Sequence, residues 1–258
     1  MGVLNVTPDS FSDGGLFLDV DAAVAHGVQM IDEGADVVDV GGASTRPGSE
    51  QPSPDEEAAR VVPVIERLAA LGRARISIDT MTESVARAAV RAGATLVNDV
   101  SASLWPVAAD TGVAWAAMHM QGTPATMQAD PHYDDVVAEV RDFLLERAAT
   151  ATAAGVSQVW IDPGFGFGKT VTHNLALLAH LDEFCALPYP VLIGISRKST
   201  LGAVAPNPDG SIPPPADRLE PSVAGAVLAI TKGVGMVRVH DVAATVAAVR
   251  IVCDEVEV

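Results

Sequence analysis

Short apolar segments recur along the chain, and each of them leads from a glycine to a polar residue. For example, Gly155 precedes the apolar residues 159–161, which end at Asp162. Glycine just past a helix adopts the left-handed conformation at little cost, so it ends the helix and lets a strand begin. Strands that are apolar at successive positions are typical of parallel strands covered on both faces. The pattern predicts five strand ends of this kind, at Asp39, Asn98, Met118-His119, Asp162 and Arg238.

Three further apolar segments, residues 3–6, 76–78 and 191–195, complete a set of eight. Helical patterns separate the segments, for example at residues 20–33, 54–71, 83–92, 136–154 and 242–255. Eight strand–helix units in about 250 residues predict an α/β fold, a (β/α)8 TIM barrel with its active site at the C-terminal ends of the strands. An open doubly wound sheet is the alternative, but no G-x-G-x-x-G follows a strand and opens a helix. We expect one barrel domain over residues 1–258, with a proline-rich surface insert near residues 205–217.

Composition and charge narrow the class of protein. The chain has 258 residues, of which 49% are hydrophobic and 19% are charged, as in globular domains. No apolar run reaches the roughly 18–20 residues that cross a bilayer, and no secretory signal follows Met1. The net charge of −17 argues against a nucleic-acid partner, because phosphate binding needs clustered cations. Cys185 and Cys253 lack metal-site spacing, so we expect two thiols in a protein of the reducing cytoplasm. From the lack of a long apolar run we expect no membrane partner.

A glycine-dense segment follows the sixth predicted strand directly, from Asp162 to Thr170. A phosphate-binding P-loop has four residues between its first glycine and the Gly-Lys-Thr. Here three residues separate Gly164 from Gly168. The carboxylate of Asp162 at the strand end would also repel a phosphate. A kinase or ATPase is therefore disfavoured.

Polar and charged side chains collect at the predicted strand ends, where a barrel keeps its active site. They are Asn5, Asp79, Asn98, Met118, Asp162, Ser196-Arg197-Lys198 and Arg238-Val239-His240. Carboxylates and amides occupy one arc of this mouth and cations another, which suits a flat, nitrogen-rich ring beside an anion. The structural alternatives are helix capping by the aspartates, a solvated Lys198, and pairing of Arg238 with Asp241 or Asp39. We expect Asp39 to support the loop that follows it, and Lys169 and Arg197 to solvate or support theirs.

These strand ends and their neighbours resemble the dihydropteroate synthase family over almost the whole chain. The resemblance rests on motifs that occur in the family's order at residues 1–15, 41–48, 77–80, 97–101, 118–122, 162–169, 196–199 and 238–241. It implies a transferase of folate biosynthesis that joins 6-hydroxymethyl-7,8-dihydropterin diphosphate to 4-aminobenzoate and releases pyrophosphate. It also implies Mg²⁺ as cofactor, small-molecule substrates, a homodimer and a sulfonamide target.

The resemblance carries roles over to individual positions. Those for the pterin are Asp79, Asn98, Met118, Asp162 and Lys198. Those for the diphosphate are Asn5, Arg238 and His240, with Asn5 also the expected Mg²⁺ ligand. Those for 4-aminobenzoate are Thr45, Pro47, Phe167, Lys198 and Ser199. The expected catalytic set is Asp79, Asp162 and Lys198, with Asp13 and Arg46 from two loops that order over the reacting centre.

Two other functions share the resemblance, namely a non-catalytic pterin-binding relative and a corrinoid methyltransferase with a related barrel. The segment Ser196-Arg197-Lys198 and the two loops favour the synthase over the methyltransferase. The residues Asn5, Asp13, Thr45 and Arg46 favour it over the non-catalytic relative. Residues 101–113 are shorter than in the family, so we expect a stunted fourth helix.

Overall fold

The computed structural model describes residues 1–7, 20–43 and 51–253. Within these ranges the chain forms eight strands, and every strand pairing is parallel. The strands are β1 (Gly2–Asn5), β2 (Val37–Gly41), β3 (Arg75–Asp79), β4 (Leu96–Asp99), β5 (Ala114–Met118), β6 (Val159–Asp162), β7 (Leu192–Ile193) and β8 (Met236–Val237).

The strands close into a ring. Strands β1 to β6 pair in chain order, and β7 pairs with β8. A parallel bridge between Ile161 and Val191 joins β6 to the start of β7, and one between Gly2 and Val239 joins β8 to β1. The second junction has two backbone hydrogen bonds, from Val3 N to Val239 O and from Val239 N to Met1 O, each 2.9 Å long. The barrel prediction is confirmed, and the open sheet is wrong.

Helices connect the strands and cover the ring. They are α1 (Val20–Asp32), α2 (Pro54–Ala70), α3 (Glu83–Arg91), α4 (Trp105–Thr111), α5 (Val136–Ala153), α6 (Val171–Ala179), α7 (Leu181–Cys185), α8 (Ser199–Val204), α9 (Leu219–Thr231) and α10 (Val242–Val252). Helix α2 begins with a capping box between Ser53 and Glu56, and Pro54 occupies its first turn. The expected stunted fourth helix is confirmed, since α4 has 7 residues.

Alternation along each strand divides the barrel into two apolar regions. Outward side chains such as Leu4, Val38 and Val97 pack against the helices in the main core. Inward side chains form a smaller cluster that includes Leu96, Leu192 and Trp160. The barrel interior is therefore a packed base beneath the polar mouth, as is usual for this fold.

Two boundaries differ from the sequence prediction in ways that affect the site. Strand β2 continues past Asp39 to Gly41, so Asp39 lies inside the strand and is fully buried. The prediction that this strand ends at Asp39 was wrong, because the glycines at positions 41 and 42 resemble the start of a loop. Strand β7 is only two residues long, so the polar segment from Ser196 onwards is carried by a tight turn.

Candidate active site

The strand register aligns the polar side chains at the mouth. Asn5 lies opposite Gly41, Gly41 opposite Asp79, and Asp79 opposite Asn98. On the other side of the ring, Met118 lies opposite Asp162. Because side chains at paired positions in parallel strands point to the same face, all these residues face the barrel interior. Asn98 lies opposite Ala116, so Met118 and Asp162 stand two residues further toward the mouth than Asp79 and Asn98.

A buried ionic network connects strands β2, β3 and β4 with Arg238, which directly follows β8. The Oδ2 atom of Asp39 accepts hydrogen bonds from Arg238 Nε at 2.6 Å and from Asn98 Nδ2 at 2.9 Å. The guanidinium of Arg238 also donates from Nη2 to Asp79 Oδ2 at 2.7 Å. One cation is thus bracketed by two carboxylates, and one of these carboxylates also fixes an amide. Of the alternatives raised for Arg238, the structure has the pairing with Asp39, while Asp241 pairs with Arg197.

Burial perturbs both aspartates at the mouth. Burial raises the pKa of Asp79 to about 7, against the opposing effect of the Arg238 cation. Burial likewise raises the pKa of Asp162, and the cation of Lys198 opposes this shift. Carboxyl groups of this kind, in a concave site beside cations, are typical of functional positions.

The segment after β6 arranges Asp162, Phe167 and Lys198 around one pocket wall. Gly164 N donates to Asp162 Oδ1 at 2.7 Å. The ammonium of Lys198 donates to Phe165 O and lies 4.4 Å from the centroid of the Phe167 ring. Burial lowers the pKa of Lys198 to about 8, although Asp162 opposes the shift. A cation over an aromatic face is a favourable contact, and it leaves the ring beside the positive charge.

Lys169 holds the same segment from behind. Its ammonium is buried and lies 3.0 Å from each of three acceptors, namely Gly164 O, Phe167 O and His119 Nδ1. Burial lowers its pKa to about 7. The expectation of a supporting role is confirmed, whereas the alternative of a solvated Lys169 is wrong. A P-loop turns N–H groups toward its ligand, but here backbone carbonyls face two ammonium groups, which further excludes a phosphate loop.

The remaining predicted residues of the cationic arc lie beside β7 and β8. His240 is bonded to Ser196, with 3.1 Å between Nδ1 and Oγ. Burial lowers the pKa of His240 to about 4, helped by the nearby Arg238 cation. Ser199 is exposed and is the first residue of α8. Arg197 forms an ion pair with Asp241, so it supports its loop as expected.

Part of the predicted site lies outside the described residues. These positions are Asp13, Thr45, Arg46 and Pro47. The structure does bring together the other predicted residues, which are Asn5, Asp79, Asn98, Met118, Asp162, Phe167, Lys198, Ser199, Arg238 and His240, on strands or on the segments that follow them. Their assigned roles remain predictions.

Sequence reasoning missed the importance of Asp39 and underestimated that of Lys169. The signal for Asp39 was its spacing, because a residue two positions before inward-facing Gly41 also points inward. Lys169 gave a weaker signal, because its main partners are His119, which directly follows β5, and the glycine segment itself.

The described residues contain no cluster of three or more His, Cys, Asp or Glu side chains that could cage a metal ion. The polar side chains at the mouth would fit Mg²⁺ only as an ion held largely by water and substrate phosphates. Magnesium commonly keeps several waters and binds through one or two protein oxygens together with substrate phosphates. Asn5 offers such an oxygen at the mouth, near Asp79. A Cβ atom placed on Gly41 would be 3.7 Å from both Asn5 Oδ1 and Asp79 Oδ2.

Comparison with known proteins indicates the same class of protein as the geometry of the site. Residues 1–240 match the family described as "Pterin binding enzyme". Dihydropteroate synthase of Escherichia coli K12 is 46% identical, over 98% of this chain and 89% of its own length. A structure of Xanthomonas albilineans dihydropteroate synthase with 4-aminobenzoic acid is 48% identical, with a TM-score of 0.90, and covers 100% of this chain and 92% of that one. A structure of the Xanthomonas albilineans enzyme with 7,8-dihydropteroate is 46% identical, with a TM-score of 0.87, over 100% and 93%.

The chain therefore belongs to the pterin binding enzyme family. Within that family its activity is that of a dihydropteroate synthase, a transferase of folate biosynthesis.

Proposed function

We propose that this barrel mouth joins 6-hydroxymethyl-7,8-dihydropterin diphosphate to 4-aminobenzoate, giving 7,8-dihydropteroate and pyrophosphate. The observation that carries the residue assignments is the convergence of Asp162, Asn98 and Asp79 with Arg238 and Lys198 at the barrel mouth. The arrangement provides hydrogen-bond acceptors for a ring edge, and cations for an anion, within one site.

Ring recognition falls to Asp162 and Asn98. The pterin edge presents a 2-amino group and a ring N–H side by side, and one carboxylate accepts both. Asp162 Oδ1 is already oriented by Gly164 N, so the carboxylate is held before the ligand arrives. Asn98 contributes a donor beside an acceptor, which suits the mixed remainder of the ring edge. Met118 is buried beside Asp162 in the register and supplies an apolar surface for a flat ring.

Diphosphate binding falls to the cationic arc. Arg238 has a planar set of donors that matches phosphate oxygens, and His240 lies two residues further along the same segment after β8. Asn5 would hold Mg²⁺ together with the diphosphate, and the ion would stabilise charge on the leaving group. No strong base is required of the protein in this arc, because the nucleophile is already neutral.

The chemistry is ionisation followed by capture. The C–O bond to the diphosphate breaks, its electron pair leaves with the diphosphate, and a cation spreads over the dihydropterin. Asp79 and Asp162 stabilise that cation in a partly dry site. The arylamine nitrogen then forms the C–N bond and loses a proton to solvent or to the departing pyrophosphate. Most of the rate enhancement therefore comes from electrostatic stabilisation and orientation.

The second substrate would lie against Phe167 and Lys198. Their cation–ring contact fixes one wall of the pocket, and Ser199, the first residue of α8, directly follows Lys198. Thr45 and Pro47 would complete the pocket from the second loop. The same pocket would bind a sulfonamide, because it shares the aniline ring and places an anionic group where the carboxylate lies. The proposal predicts sulfonamide competition with 4-aminobenzoate and not with the pterin.

Incubation with both substrates tests the proposed function. We expect 7,8-dihydropteroate, identified by mass spectrometry, and pyrophosphate in equal amounts. An Asp162→Asn variant run in parallel should form neither product. Pterin binding without any turnover would instead indicate a non-catalytic pterin-binding protein.

Pyrophosphate should promote 4-aminobenzoate binding. The anion would order the two loops near residues 9–17 and 42–50, which contribute to the second pocket; residues 8–19 and 44–50 lie outside the described residues. Such coupling is reciprocal, and we expect a gain in affinity of at least about fivefold. Calorimetry with and without pyrophosphate, in the presence and absence of Mg²⁺, measures it. Equal 4-aminobenzoate affinities in all arms would contradict the coupling, and Arg238→Met should abolish it.

Stability and activity should change in opposite directions as Asp79 ionises. Its raised pKa of about 7 means that the folded state retains a proton that the unfolded state loses. The associated stability is complete at pH values below the ordinary carboxyl pKa, and it is lost as the pH rises through about 7. The ionised carboxylate is the form that stabilises the cation, so kcat/KM for the pterin diphosphate should rise over the same interval.

Thermal melting against pH checks this sign, and Asp79→Asn is the matched variant. The variant should lose the decline in Tm between mildly acidic and neutral pH. A wild-type Tm that stays level or rises over this interval would contradict the raised pKa of Asp79. Side-chain ¹³C NMR of Asp79 gives the titration directly.

Two further properties belong to the proposal. We propose a homodimer, supported by exposed apolar side chains on α9 and α10, including Leu228 and Ile251; sedimentation measures this. We also propose a cytoplasmic location, supported by Cys185 and Cys253, which are both free thiols. In the described part of the chain, no helix combines the length and the apolar character needed to cross a membrane.

A further inference from the structure

Asp39 occupies an unusual position for an acidic side chain. It lies within β2, is fully buried, and points into the barrel just beneath the substrate layer. Its Oδ2 atom is shared between Arg238 and Asn98, which are 199 and 59 positions away in the sequence. These two residues have different expected ligands, the diphosphate and the pterin ring.

Packing alone does not account for this carboxylate. An apolar side chain would continue the apolar cluster that Leu96 and Leu192 form in the barrel interior. Instead, Asp39 Oδ1 is buried and has no hydrogen-bond partner among the described residues. A buried oxygen in this condition lowers stability, and such costs are typical of functional positions.

The contacts of Asp39 determine how its two partners face the site. A carboxylate only accepts, so the amide of Asn98 must turn Nδ2 toward it. Asn98 then keeps Oδ1 and its second N–H for a ligand. Arg238 is held through Nε, which leaves its two terminal nitrogens for other acceptors. One of these nitrogens, Nη2, donates to Asp79 in the present structure.

We propose that Asp39 is a positioning residue for the reaction, orienting Arg238 for the diphosphate and Asn98 for the ring, so that one buried carboxylate aligns both halves of the first substrate. This role rests on the proposed function. On diphosphate binding, Arg238 pivots about the bond to Asp39 and transfers Nη2 from Asp79 to the anion. Asp79 is thereby released to face the cation that forms on the ring.

Substrate-specific kinetics give the first test. Asp39→Asn keeps the shape of the side chain but removes its charge, and we expect kcat/KM for the pterin diphosphate to fall by about 10- to 100-fold. The KM for 4-aminobenzoate should be unchanged, because Asp39 makes no hydrogen bond to Phe167, Lys198 or Ser199, the described residues assigned to that substrate. Ser77→Ala is the matched control, because Ser77 lies opposite Asp39 on β3, is equally buried, and also has a buried oxygen without a partner among the described residues. Unaltered kcat/KM in Asp39→Asn, or equal losses for both substrates, would overturn the proposal.

A double-mutant cycle separates positioning from general damage. If Asp39 acts partly through Asn98, Asp39→Asn should cost less pterin affinity in an Asn98→Ala background than in the wild type. Fully additive losses in calorimetry would show that the two residues act independently and would refute the coupling.

Nitrogen-15 NMR provides a readout on the wild-type protein that does not depend on turnover. In the wild type, the Arg238 Nε–H signal, assigned by its loss in Arg238→Lys, should exchange slowly with solvent. It should stay protected when pyrophosphate is added, because only Nη2 changes partner. Fast exchange in either condition would overturn the pivot. Because this measurement does not depend on activity, an inactive wild type would refute the proposed function and leave the role of Asp39 testable.

Discussion

Replacing Asp162 with asparagine should abolish useful pterin affinity without destabilising the protein. The amide keeps one acceptor, but it presents donors to the donors of the ring edge. An unsatisfied buried pair costs about 1–3 kcal/mol, and more when a charge is lost, so we expect at least about a hundredfold loss of affinity. Burial raises the pKa of Asp162, which means that its ionised form is unfavourable in the folded protein. The variant should therefore melt at the wild-type temperature or above.

Calorimetry with a pterin ligand, together with thermal melting, measures both parts of this prediction. A folded Asp162→Asn variant with unchanged pterin affinity would remove Asp162 from the ring site. A variant that loses affinity only because it unfolds would leave the assignment unsupported, so the two measurements belong together.

Replacing Gly164 with alanine should destabilise the barrel mouth far more than the same change at Gly72. Both glycines are left-handed, with φ of +66° and +62°, so both substitutions carry the same conformational cost of about 1–2 kcal/mol. A Cβ atom at Gly72 would meet no atom within 4 Å, whereas one at Gly164 would lie 1.8 Å from His119 O. The backbone must move at Gly164, and we expect a total loss of about 3–5 kcal/mol in the free energy of unfolding.

Catalytic activity should also differ between the Gly164→Ala and Gly72→Ala variants. Gly164 N orients Asp162, and Gly164 O binds Lys169, so a shift here misplaces the ring-binding carboxylate. Urea unfolding and kcat/KM for the pterin diphosphate should both be impaired in Gly164→Ala, while Gly72→Ala keeps wild-type kinetics. Similar free energies of unfolding for the two variants would show that the mouth tolerates the displacement.

The sequence predicted those parts of the fold that depend on local chemistry. The glycines that end helices adopt the expected left-handed conformation, as at Gly93 with φ of +113° and Gly155 with φ of +98°. The apolar segments after them form the strands, and their polar ends gather at one mouth because all the strands are parallel. Neither inference required a partner that was distant in the sequence.

The parts that could not be predicted depend on distant partners. Arg238 and Asp39 are 199 positions apart, and local patterns do not contain the register that brings them together. Lys169 shows the same limit, because its charge suggested solvent exposure, whereas the barrel places it 3.0 Å from His119, which is 50 positions earlier in the chain. Buried charges are identified by the geometry of their acceptors, and the sequence alone does not contain this geometry.

A crystal structure with 4-aminobenzoate and a pterin diphosphate whose bridging oxygen is replaced by methylene tests the site assignment most directly. The account predicts the ring edge on Asp162 and Asn98, and the diphosphate on Arg238 and His240. It also predicts that Arg238 Nε remains on Asp39 while Nη2 has left Asp79. A ring bound away from Asp162, or a diphosphate that leaves the Arg238–Asp79 pair intact, would contradict it.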